Sequence, residues 1–165
     1  MKSLLHLVCL TTTLCFSALA TGQSQFALNQ SFAALYEQEL GSTQKCLSSS
    51  ANRYAVCSPA LRGDGNAPFI LFQQPDSPIV VLTHGLSDSP FFVSAIADEL
   101  YDSGYTVIAP LLPGHGLKDA DAAMEDEQLA ERWQAHLAEV VELALQSTDK
   151  VVLGGFSTGG ALSVD

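Results

Sequence analysis
The chain closes on GGFSTGGALSVD, residues 154–165, directly after the apolar run VVL at 151–153. Within it, Gly155-Phe156-Ser157-Thr158-Gly159 is a G-x-S-x-G between a β-branched run and small residues suited to starting a helix. A serine at so sharp a strand-to-helix turn sits in a strained conformation, and flanking glycines remove the side chains that would collide there. Ser157 then stands exposed above a sheet, with its hydroxyl near backbone amides that favour negative charge. The rival reading is a phosphate-binding loop. Gly154, Gly155, Gly159 and Gly160 fit neither G-x-G-x-x-G nor G-x-x-x-x-G-K-[ST], because Phe156 and Ser157 occupy required glycine positions and no lysine follows.

Working back from this turn, the chain alternates strand and helix signals. PFILFQ and PIVVLTH read as strands separated by the turn-former QPDS, and Ile79 to Leu82 is apolar without alternation, as in a strand covered on both faces. Ser89 is placed to cap a helix with Pro90 at its first position, Phe92, Ile96 and Leu100 on one face, and Gly104 at its end. TVIAP is a strand. Leu129, Trp133, His136, Leu137, Val140 and Ala144 mark one face of a second helix, and KVVLGG is the last strand. Strand, helix, strand, helix, strand with short links specifies an α/β fold with a mostly parallel sheet. Farther upstream, FALNQSFAALYEQEL predicts an amphipathic helix burying Phe26, Phe32, Leu35 and Leu40.

A serine that attacks a carbonyl needs donors for the oxyanion. The amide of Thr158 is one, and the loop after an earlier strand normally supplies the other; here VVLT runs into His84-Gly85-Leu86-Ser87, which nominates the amide of Leu86. Gly85 permits close backbone approach, and His84 reads as a turn-stabilising side chain rather than a base.

Taken together, HGLSDSP, LLPGHG and GFSTGG resemble the α/β-hydrolase superfamily, nearest to bacterial carboxylesterase, monoacylglycerol lipase and serine aminopeptidase-like members. The likeness covers about residues 68–165. It implies a three-layer α/β-hydrolase fold and hydrolysis through an acyl-enzyme on Ser157, with an acid and then a histidine following the nucleophile in the chain. Eight residues follow Ser157, so the sequence reads as an incomplete α/β-hydrolase lacking that acid and histidine, the later strands and the cap; alone it is expected to be inactive. The alternatives are a non-catalytic binding module, a chain without function, or, among enzymes, a serine aminopeptidase. An ester of a lipid or small molecule is the expected substrate, by the esterase-like form of these motifs.

The first twenty residues carry one lysine, no acid, an apolar run from Leu4 to Phe16 and Ala18-Leu19-Ala20, which reads as an export signal and is too short and threonine-rich for a stable membrane anchor. Residues 21–63 form an N-terminal extension and 64–165 the hydrolase part, with a periplasmic or extracellular location expected. A net charge of −11 argues against nucleic acid as a partner. Past the signal only Cys46 and Cys57 remain, an expected disulfide in an oxidising compartment. No metal or cofactor is implied. His84, His115 and His136 show no paired ligand spacing, and the acidic DADAAMEDE reads as solvated surface lacking the glycine and ligand alternation of a calcium loop.

Overall fold
A computed structural model describes residues 25–47 and 51–164. The expected export signal and Asp165 lie outside the described residues. Helix α1 covers residues 25–34, and a two-residue turn separates it from α2 (Glu37–Leu40). Six strands follow in chain order: β1 (Gln44–Lys45), β2 (Arg53–Cys57), β3 (Phe69–Leu71), β4 (Ile79–Thr83), β5 (Thr106–Ala109) and β6 (Val151–Gly155). Between and after them lie α3 (Pro90–Asp102), α4 (Asp121–Met124), α5 (Leu129–Leu145) and α6 (Thr158–Leu162).

The strands form one sheet in the order β1-β2-β3-β5-β4-β6. β4 pairs in parallel with β5 and with β6, so these three make the parallel core read from the sequence. β3 joins β5 antiparallel, and β2 and β1 continue antiparallel outward. The extension expected over residues 21–63 thus contributes two strands to the sheet. Its arm is stapled by the Cys46–Cys57 disulfide, with Cα atoms 5.0 Å apart.

Chain direction places the helices. From β4 the crossover through α3 leads to β5 on one side, and from β5 the crossover through α5 leads back past β4 to β6. Right-handed crossovers running in opposite directions put their helices on opposite faces. Accordingly α3 packs on β3, β4 and β5, whereas α5 packs on β4, β6 and α6. β4, sandwiched between them, is buried at every residue. The crevice at its carboxyl end, where the crossovers diverge, is the position at which open α/β sheets bind ligands.

Two helix faces differ from the sequence reading. On α3 the sheet side is Pro90, Val93 and Ala97, while Phe92 and Ile96 are 63% and 53% exposed. Small side chains let the helix backbone lie close to the sheet, and the bulky ones turn outward. Ser89 does occupy the cap position, but its hydroxyl donates to Asn66 Oδ1 at 2.9 Å instead of capping the helix. In the N-terminal segment the buried series is Leu28, Phe32, Tyr36 and Leu40, and Phe26 is exposed. The apolar step of four continues through the turn, and tyrosine buries its ring because its hydroxyl finds partners within the fold. On α5, Leu129, His136, Leu137, Val140 and Ala144 are buried together with Leu143, and Trp133 is half-buried.

Candidate active site
The turn after β6 is built by backbone approach. Ser157 has φ 52°, ψ −114°, a left-handed conformation that L-residues avoid at a cost of about 1–3 kcal/mol. It is held there from both sides. The amide of Phe156 donates to the Thr83 carbonyl at 3.0 Å, tying the turn to the end of β4. A Cβ on Gly155 would lie 2.3 Å from the Gly159 carbonyl carbon, and one on Gly159 would lie 2.3 Å from the Thr83 carbonyl oxygen. Both contacts are backbone to backbone, so no side-chain rearrangement relieves them. The two glycines of the motif are therefore required by packing: Gly155 against the first turn of α6, Gly159 against β4. Ser157 itself is exposed.

The loop after β4 faces this turn. A Cβ on Gly85 would stand 3.1 Å from the Phe156 ring and 3.3 Å from the Phe156 carbonyl. Residues 85–88 form a tight turn closed by Asp88 N–H to the Gly85 carbonyl at 3.2 Å, with Ser87 at φ 62°. The amides of Leu86 and Thr158 donate to no protein acceptor among the described residues. Leu86 and Phe156 are 54% and 64% exposed, so each of the two segments carries an apolar side chain on the surface.

His84 lies wholly beneath this surface. Its Nε2 accepts the amide of Leu112 at 3.1 Å, which leaves the proton on Nδ1, and Nδ1 donates to the Gly85 carbonyl at 2.8 Å. Burial pushes its pKa down to about 4, and nearby His115 adds to the effect. A ring held neutral with both nitrogens engaged is a fastener between two loops. His115 stacks between His84 and Trp133, with centroids 4.9 and 5.3 Å away. Its Nδ1 and the Trp133 indole both donate to the Pro113 carbonyl, at 3.0 and 2.9 Å. Its Nε2 has no partner among the described residues. His136 meets the Tyr36 hydroxyl at 3.4 Å, and burial lowers its pKa to about 4. None of these three histidines hydrogen-bonds Ser157.

The structure thus brings together Ser157, Thr158, Gly155 and Gly159 on one turn with His84, Gly85 and Leu86 on the next loop. Cys46 and Cys57 belong to the antiparallel arm of the sheet. Among the described residues no cluster of three or more His, Cys, Asp or Glu side chains is arranged to hold a metal ion.

A model of the α/β hydrolase family matches residues 80–165. The chain belongs to the α/β-hydrolase family. A solved structure from work on LipS and LipT, two metagenome-derived lipolytic enzymes, is 30% identical with a TM-score of 0.50, covering 58% of this chain and 38% of its own. The thioesterase domain of a curacin biosynthetic pathway is 19% identical with a TM-score of 0.46, over 74% of this chain and 40% of its own. This α/β hydrolase therefore spans about two-fifths of the length of these solved relatives. No curated protein matches it.

Proposed function
We propose that the protein is an exported serine hydrolase that cleaves carboxylic esters with an apolar acyl or alcohol group. The observation that carries this reading is Ser157, held at φ 52° on a turn whose glycines are packed against backbone. Strain of this kind persists only where surrounding structure enforces it, and here the strained residue is an exposed serine. In the proposed reaction Ser157 Oγ attacks the ester carbonyl carbon and its proton passes to a general base. The carbonyl oxygen becomes an oxyanion held by the amides of Leu86 and Thr158. Collapse of the tetrahedral intermediate expels the alcohol, which takes up a proton, and water then hydrolyses the acyl-enzyme by the same path. Among the described residues no histidine hydrogen-bonds Ser157.

The exposed Leu86 and Phe156 side chains on the two segments favour an apolar substrate, and a net charge of −11 disfavours an anionic one. The LipS and LipT likeness supports the ester reading. In the protein expressed from its full reading frame, Ser157→Ala is expected to abolish turnover of p-nitrophenyl esters. Turnover unchanged by the substitution would place the nucleophile elsewhere. Export is tested at the mature N-terminus: mass spectrometry is expected to find Thr21 there, and an intact Met1 on exported protein would contradict cleavage.

A further inference from the structure
We infer that the N-terminal helices brace the oxyanion loop, with Glu39 and Tyr36 as positioning residues for the Leu86 amide. This rests on the serine-hydrolase reading above. Two side chains of the N-terminal segment reach a loop seventy-five residues later in the chain. The Tyr36 hydroxyl accepts the amide of Leu111 at 3.3 Å, and Glu39 Oε1 accepts the amide of Gly114 at 2.8 Å. Between these anchors, the amide of Leu112 donates to His84 Nε2 at 3.1 Å, and His84 Nδ1 donates to the Gly85 carbonyl at 2.8 Å.

The final link is a covalent one. The carbonyl of Gly85 and the N–H of Leu86 belong to the same planar peptide unit, so fixing the direction of one fixes the other. A ring that holds the Gly85 carbonyl in the interior therefore aims the Leu86 N–H the opposite way. The ring itself is held by Leu112, and Leu112 by the two anchors.

Glu39 is secured in turn. Its other carboxylate oxygen pairs with Arg132 of α5, whose second guanidinium nitrogen binds Asp126 at 2.8 Å. Tyr36 is fully buried and stacks edge-on against Phe32 and His136, with centroids 5.2 and 5.1 Å away. Both anchors are thus held by partners of their own, as a positioning device requires.

The test uses protein from the full reading frame, with turnover expressed per Ser157 titrated by a fluorophosphonate, so that loss of folded protein does not count. Removing an oxyanion donor outright lowers kcat by about 10²–10³-fold, and loosening its support is expected to lower it by about tenfold with little change in KM. Glu39→Ala and Tyr36→Phe should show that loss. Glu39→Gln keeps an oxygen for the Gly114 amide and should retain kcat within about threefold, since a neutral acceptor keeps much of the bond. Hydrogen exchange supplies a readout independent of activity: Glu39→Ala should speed exchange in both 111–116 and 84–88. Unchanged kcat per titrated site and unchanged exchange at 84–88 in Glu39→Ala would overturn the inference, as would Glu39→Gln being as damaging as alanine. If Glu39→Ala does not fold, Tyr36→Phe and Glu39→Gln decide. If wild-type turnover survives Ser157→Ala, the assignment of Ser157 as nucleophile fails, and exchange at 84–88 still shows whether Glu39 braces that loop.

Discussion

Lowering the pH from 7 to 4 should strip this protein of much of its stability through two buried histidines. His84 and His136 are buried, each with a pKa pushed down to about 4 from the ordinary 6.5. Above pH 6.5 both are neutral whether the chain is folded or not, and they leave stability unaffected by pH. Between 6.5 and about 4 the unfolded chain takes up a proton on each and the folded chain does not, so stability falls as pH falls. Below 4 both states are protonated and the loss is complete. At about 1.4 kcal/mol per pH unit, each histidine removes about 3 kcal/mol across that window. The pair removes about 7 kcal/mol, comparable to the whole stability of an ordinary domain of about 5–15 kcal/mol. The assay is urea denaturation at half-unit steps of pH, in wild type and His136→Gln. Wild type should lose stability with a slope of up to about 2.7 kcal/mol per pH unit from this pair, and the variant should lose about half of that slope. Equal slopes in the two proteins between pH 6.5 and 4 would refute the reasoning, because His136 would then titrate alike in folded and unfolded chains.

Gly159→Ala places a Cβ 2.3 Å from the Thr83 carbonyl oxygen, where real contacts do not fall below 3.0 Å, so β4 and α6 must separate. The expected result is a loss of about 3 kcal/mol by denaturation and of about 10²-fold in ester kcat, and a variant with wild-type values for both would show that the turn is not packed as described. Cys46→Ser or Cys57→Ser opens the staple on the β1-β2 arm and should lower stability by about 3 kcal/mol. Equal midpoints with and without reductant would count against that contribution.

The parallel core was legible because its signals are local. Apolar runs without alternation at 79–82 and 151–153, a proline at the first position of α3 and Gly104 at φ 98° after it each specify structure within a few residues. The turn at Ser157 was legible for a similar reason, since its motif glycines answer contacts at 2.3 Å that no other residue survives. What escaped depends on distant partners. Phe92 and Ile96 carry the same helical spacing as Val93 and Ala97, and only the closeness of α3 to the sheet decides which pair faces inward. β1 is two residues long and pairs only with β2, to which the Cys46–Cys57 disulfide staples it, and β2 reaches the sheet through β3 on the antiparallel edge of β5. Glu39 and Tyr36 are not singled out in the helical stretch that contains them. Their partners at Gly114 and Leu111 lie seventy-five residues away, a separation that no local pattern encodes.

The central claim is that Ser157 is the nucleophile, and the most direct measurement is to locate a covalent adduct. Protein from the full reading frame is treated with a fluorophosphonate probe and digested, and the modified peptide is sequenced by mass spectrometry. The account predicts one stoichiometric adduct on Ser157, lost in Ser157→Ala. An adduct on any other residue, or full labelling of Ser157→Ala, would contradict it.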